Sequence, residues 1–293
     1  MASVVVSPSS ALARVEAAKR RQVAARQRFV RLDRTRLARI AKLHSAGSWA
    51  FAIGDGATLG ANFERLKAYD IVVVDGETTS AEQVAQLHAS GCSVLAYVSV
   101  GTIESYRSWY PRVAPYRLDL WGDWGEWYAD VNAAGYRTTL LAETSTMLGK
   151  GADGLFLDNV DMVDVHPERS TGMTELVTAL SAQTRQSGRV LATQNGYEVV
   201  WPMRSAFSAW NREDVTSTYD FEAERYLRTP AADRDGALRE LGAMKGAGLV
   251  TMATDYTTAE DTATETLARQ NAASVGALSF VSDILLTRIS TLP

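Results

Sequence analysis

The run GADGLFLDNVDMVD, residues 151–164, places the apolar side chains Leu155, Phe156 and Leu157 directly before Asp158, Asp161 and Asp164. A short apolar run bounded by glycine and acid reads as a strand buried on both faces. Its end in negative charge puts carboxylates where strand gives way to loop. The same form recurs in DIVVVDG (70–76), LVTMATDY (249–256) and ALSFVSD (277–283). SWAFAI (48–53), SVLAYVSVG (93–101), RVLATQNG (189–196) and the weaker AFSAWNRED (206–214) complete eight strand candidates. Helical stretches fall between them, at 80–91 with Ser80 as cap, 171–188, 231–248 and 257–276. Strand–helix alternation argues for an α/β fold with a parallel sheet. Eight repeats predict a (β/α)8 TIM barrel with an N-terminal basic helical extension. A doubly wound open sheet is the alternative, but no GxGxxG follows a strand and no P-loop pattern occurs.

Composition narrows the function classes. Of 293 residues, 46% are hydrophobic and 22% charged, which suits a globular chain with a sizeable core. No apolar run approaches the roughly 18 residues of a membrane span. The single cysteine, Cys92, excludes an intrachain disulfide and reads as a small buried hydrophobe. His44, His88 and His166 are scattered without ligand spacing, so no metal site is expected.

The net charge of −4 hides an asymmetry. Residues 1–45 hold 11 of the 30 Lys+Arg and 2 of the 34 Asp+Glu, leaving 19 basic and 32 acidic residues in 46–293. The boundary this suggests separates a basic helical extension or arm (1–45) from the barrel (46–293). An acidic body favours a cationic ligand over nucleic acid. In the extension Val23, Val30 and Leu37 are seven apart, yet Arg26 and Asp33 hold the partner positions of a coiled coil. A solvated helix, or an arm that attaches to a partner or a larger particle, fits better. The segment lacks the apolar core of an ordinary secretory signal.

Barrel active sites lie at the C-terminal ends of the strands. Asp75, Asp158, Asp255 and Asp283 end strands two, four, seven and eight, and Glu213 lies at or just past strand six. One such acid reads as a helix cap. Five at one mouth read as chemistry, because like charges are tolerated mainly where they are used. The long segment 106–128 adds four tryptophans and four tyrosines, whose faces suit sugar rings or pack the loop onto the barrel.

Three stretches now carry a family resemblance: VSVGTIESYR (98–107), DGLFLDNVD (153–161) and TQNG (193–196). With them, residues 48–290 resemble glycoside hydrolase family 114, the endo-α-1,4-polygalactosaminidases and their relatives. The resemblance implies a (β/α)8 barrel that cuts a polysaccharide internally with two carboxyl groups and no cofactor. It implies Asp158 as nucleophile and Glu213 as acid/base, with Asp214, Asp220, Glu222 and Glu224 as rivals for the second role. Glu104 would bind substrate, and Asp75, Tyr97 and Asn195 would line the same mouth. Asp161 would support Asp158, and Asp255 joins the mouth by its strand-end position. A galactosamine polymer carries ammonium groups, which matches the acidic body. Such substrates lie outside cells or on particles. The alternative class is a non-catalytic carbohydrate-binding barrel that has lost one carboxylate.

Overall fold

The structure, a computed structural model, describes residues 8–290. Residues 1–7, part of the segment read above as lacking a signal core, lie outside the described residues. The eight expected strands form one sheet in sequence order: β1 (Trp49–Ala52), β2 (Ile71–Asp75), β3 (Ser93–Ser99), β4 (Gly154–Asp158), β5 (Val190–Gln194), β6 (Ala209–Glu213), β7 (Val250–Tyr256) and β8 (Leu278–Ser282). Each neighbouring pair is parallel. The sheet curls until β8 meets β1, so the fold is a (β/α)8 barrel. At that seam the Trp49 indole donates to the Leu278 carbonyl at 3.1 Å, and its ring lies 5.7 Å from Phe280. Trp49, Phe51, Phe156 and Phe280 pack the interior, with Phe51 and Phe156 centred 5.2 Å apart.

Helices cover the outside: α1 (Pro8–His44), α2 (Gly60–Leu66), α3 (Ala81–Ala89), α4 (Ala134–Gly149), α5 (Ser170–Gln186), α6 (Ala231–Gly246) and α7 (Thr262–Ser274). Ser80 caps α3 as the sequence predicts, in a reciprocal box with Gln83. Helices α2 and α4 were not anticipated. None of the described helices is long and apolar enough to cross a membrane.

The extension is one helix, and its C-terminal part belongs with the barrel. Leu43 is buried in the core. Arg39 pairs with Asp153 at 2.8 Å and donates to the Gly188 carbonyl, while Lys42 donates to the Cys92 carbonyl. Asp153, Gly188 and Cys92 precede β4, β5 and β3, so α1 crosses the end of the barrel opposite the mouth. From residue 18 to residue 31 every residue is exposed.

Two hairpins interrupt the alternation, and the sequence reading missed both. The first, Arg117–Trp121 with Glu126–Ala129, follows β3 and is joined by Thr102–Ile103. The second, Ser217–Asp220 with Arg225–Arg228, follows β6.

Candidate active site

Strand pleating decides which strand-end side chains reach the mouth, because alternate residues face opposite sides. Phe156 packs inside the barrel, so Asp158 two residues on also points inward. The same phase makes Asp75, Tyr97, Gln194, Glu213 and Tyr256 the upper inward positions of β2, β3, β5, β6 and β7. Their hydrogen bonds form one layer across the floor of the mouth. Tyr97 Oη donates to Asp158 Oδ2 at 2.6 Å, Gln194 Nε2 to Asp158 Oδ1 at 2.6 Å, and the Asn159 N–H to the same oxygen at 2.7 Å. Glu213 accepts from Asn195 Nδ2 at 2.7 Å and from the Tyr256 hydroxyl. Below them Asn211 donates to Gln194 Oε1 and accepts from Thr254, tying β5, β6 and β7 together.

The turns that release these strands are unusual. Asn159, Asn195 and Asp214, which follow Asp158, Gln194 and Glu213, all adopt left-handed φ values of +58°, +51° and +57°. Asn and Asp tolerate that region better than other side chains, and such strain clusters at functional sites. Gly101, in VSVG, has a separate reason: a Cβ there would sit 1.8 Å from the Asn159 carbonyl oxygen.

Burial and mutual repulsion set the protonation of the pair. Burial pushes Glu213 up to about 8, helped by the charges of Asp158 and Asp214. Asp158 is also raised by burial, but hydrogen bonds from Tyr97, Gln194 and Asn159 pull it back. Of the two, the Asp158 anion is the better hydrogen-bonded, by three donors. Asp161 is pushed up to about 7, by burial and then by Asp158. Its neighbour across the loop is Gly196, at whose position a Cβ would lie 3.2 Å from Asp161 Cβ.

On the β2–β3 side the acids are neutralised. Arg107, buried, donates to Asp75 Oδ2 at 2.5 Å and grips Glu104 with two nitrogens at 2.6 and 2.8 Å. Asp75 Oδ1 also accepts from the Glu77 and Thr78 N–H groups. Asp75 and Glu104 therefore sit at the mouth as parts of a buried ion network. Asp255 is different again. It is wholly buried one residue out of phase, and its Oδ1 receives the Thr216 and Ser217 N–H groups. It faces away from the mouth and holds the base of the second hairpin, while Tyr256 takes the inward position. The rivals Asp220, Glu222 and Glu224 lie in that hairpin and its tip, whereas Glu213 is on the strand itself.

Sequence reasoning did not single out Gln194, Tyr256, Arg107 or Glu126. No local signal set Gln194 or Tyr256 apart, because both strands are buried at every position and carry no alternation that fixes phase. Glu126 comes from the first hairpin, accepts from Thr102 Oγ1 at 2.6 Å, and is pushed up to about 7 by burial and then by Glu104.

The sequence profile of glycoside hydrolase family GH114 matches residues 33–286. The chain belongs to that family and is a glycoside hydrolase by family. Its fold matches the glycoside hydrolase domain of PelA from Pseudomonas aeruginosa with a TM-score of 0.72 and 25% identity, over 84% of this chain and 98% of that one. Ega3 from Aspergillus fumigatus, solved in complex with galactosamine, matches with a TM-score of 0.64 and 16% identity, over 82% and 92% of the two chains. A Deinococcus radiodurans protein described as uncharacterized is 26% identical over 148 residues, 45% of this chain and 48% of its own length. The match thus spans about half of that relative.

Proposed function

We propose that the chain hydrolyses internal bonds of an α-1,4-linked, galactosamine-containing polysaccharide, with Asp158 as nucleophile and Glu213 as acid/base. The observation that carries the assignment is the pairing of inward carboxyls on β4 and β6, each with its own phenol and amide donors. Glu213, held up near 8, keeps a proton at neutral pH and can give it to the leaving glycosidic oxygen. Asp158, stabilised as an anion by three donors, can attack the anomeric carbon and form a glycosyl-enzyme. Glu213, then ionised, takes a proton from the water that releases the sugar, and the anomeric configuration is retained. This chemistry needs two carboxyl groups and water, without a cofactor.

The substrate assignment draws on charge. Residues 46–293 carry 13 more acids than bases, counting 32 against 19. Asp158, Asp161, Glu213 and Asp214 have no salt-bridge partner among the described residues. Ammonium groups of a deacetylated amino sugar supply the missing charge. Galactosamine bound to Ega3 points the same way.

The test compares deacetylated and fully N-acetylated α-1,4-galactosamine polymer at low and high salt. Preferential, salt-sensitive release of internal fragments from the deacetylated polymer is expected. Equal cleavage of both without a salt effect removes the cationic substrate. No cleavage of either, with polymer still bound, favours the non-catalytic binding barrel.

The exposed basic part of α1 we assign to attachment to a larger particle. Val23, Phe29, Val30 and Leu37 are solvent-exposed among its arginines. Co-sedimentation that survives loss of residues 1–31 would refute this.

A further inference from the structure

An unbroken chain of aromatic rings runs over the mouth from the loop after β4 to the loop after β8. It begins with Tyr128, whose ring meets His166 in the loop after β4 at 5.0 Å. Tyr128 stacks on Trp121 at 5.8 Å with planes 9° apart, and Trp121 meets Trp124 at 6.4 Å. Trp124, at the tip of the first hairpin, then meets Phe221 at the tip of the second, edge to face at 5.2 Å. Phe221 leads to Tyr219 and Tyr219 to Tyr226, at 5.1 and 5.0 Å. Tyr226 Oη accepts from the Ile284 N–H, in the loop after β8. Strands β4 and β8 stand opposite each other in the eight-stranded order. The rings therefore form a strap across the diameter of the mouth.

The strap has one weak link. Among the described residues no hydrogen bond or ion pair joins the two hairpins, and Trp124 is 40% exposed although it sits at the junction. The tips also carry like charge, Asp123 on one and Glu222 and Glu224 on the other; the nearest base on the second, Arg225, lies across from Asp220. Repulsion between the tips opposes the ring contact. The Tyr128 hydroxyl is pushed up by burial and then by Asp119, Asp161 and Asp123, which places this end of the strap near Asp161.

We propose that the Trp124–Phe221 contact is a gate that opens to admit an internal segment of a cationic polysaccharide strand and closes over it. This rests on the hydrolase reading above, because an internal segment cannot thread beneath a closed strap from its end. When the gate is open, Trp121 and Trp124 offer faces to the C–H side of a sugar ring. When it closes, ammonium groups of the strand lie between the acidic tips and relieve their repulsion. A lone sugar or a short oligomer enters beside the strap without opening it.

The experiment links the tips in the full chain. Trp124→Cys with Phe221→Cys is joined by a thiol-cleavable bismaleimide, and the native thiol Cys92 is buried and shielded. Association with α-1,4-galactosamine polymer and with its trisaccharide is measured apart from cleavage. The linked protein is expected to bind polymer at least about tenfold more slowly than the same variant unlinked. Trisaccharide binding should be unchanged, and cutting the linker should restore the polymer rate. Equal polymer association by linked and unlinked forms overturns the gate, whether or not either hydrolyses anything. Normal gating without hydrolysis by the wild-type chain would instead overturn the hydrolase reading. If the double variant does not fold, Phe221→Ala decides, because it unlatches the strap and leaves Trp121 and Trp124 in place: faster polymer association with trisaccharide binding unchanged supports the gate, and an unchanged polymer rate overturns it.

Discussion

The β2–β3 side of the mouth and the β4–β6 side hold the same residue types at the same kind of position, but only the first contains a cation. Asp75 and Glu104 share Arg107, whose side chain is 2% exposed. Asp158 and Glu213 receive phenol and amide donors instead. Arg212, beside Glu213 in the chain, turns to Glu240 on α6 and to the Glu213 carbonyl. A carboxylate paired with a buried guanidinium has its charge compensated within the fold, which suits structure. One held by neutral donors beside another acid can exchange a proton, which suits catalysis. The difference separates acids that build the mouth from acids that work in it.

The largest effect should come from Asp158→Asn. Asn keeps the shape and accepts at one oxygen, but it cannot attack or carry charge. A loss of kcat of about a thousandfold or more is expected, with little change in melting temperature. Hydrolysis within about tenfold of wild type would move the nucleophile elsewhere and break the comparison at its centre.

Arg107→Met should act on stability. It strands two buried carboxylates, Asp75 and Glu104, and removing one partner of a buried network costs about 3–5 kcal/mol. Denaturant unfolding measures this. A variant that folds normally but loses hydrolysis selectively would place Arg107 among the working residues.

The pH profile gives an intermediate effect. Glu213 must be protonated to act as acid, and its carboxyl is held up near 8. The rate should therefore fall above about pH 8, roughly tenfold per unit. The same shift weakens the fold as it titrates. The folded chain holds the Glu213 proton more tightly than the unfolded one, so its contribution is complete below the ordinary glutamate range and is lost as pH rises through about 8. Glu213→Gln should remove the basic limb from whatever rate remains. An unchanged limb in that variant would assign it to another group.

The strands were legible because short apolar runs between helices have few other homes. All eight lie within three residues of their expected ends, and Asp158 and Glu213 end two of them as read. Phase was not legible. β7 reads VTMATDY and is buried at every position, so no polar alternation tells whether Asp255 or Tyr256 faces inward. Arg107 was visible inside IESYR, but nothing local announces that its partners are Asp75, 32 residues earlier, and Glu104. The hairpins were hidden because their strands are short and mix aromatic with charged residues. The boundary at residue 45 followed a change of charge, whereas Leu43 and Arg39 bind the helix to the barrel before it.

The smallest effect should be that of Asp255→Asn, and it tests the comparison from the other side. Asp255 ends a strand beside the mouth, yet it touches neither Asp158 nor Glu213. Its Oδ1 receives two backbone N–H groups, which an Asn oxygen can still accept. Its Oδ2 is buried without a partner, so the amide replaces an oxygen that bonds to nothing. Burial holds the Asp255 carboxyl near 6, well above the ordinary aspartate range. Its contribution to stability is thus complete below that ordinary range and is lost as pH rises through about 6. Asn carries no such burden. The variant should match wild type within about 1 kcal/mol at acid pH and gain relative to it as pH rises to neutrality. Hydrolysis should change by less than about threefold, as for a residue outside the reacting layer. Melting temperatures of both proteins across that range, with rates at one pH, decide the matter. A selective collapse of kcat would return Asp255 to the working acids and erase the distinction between mouth and wall.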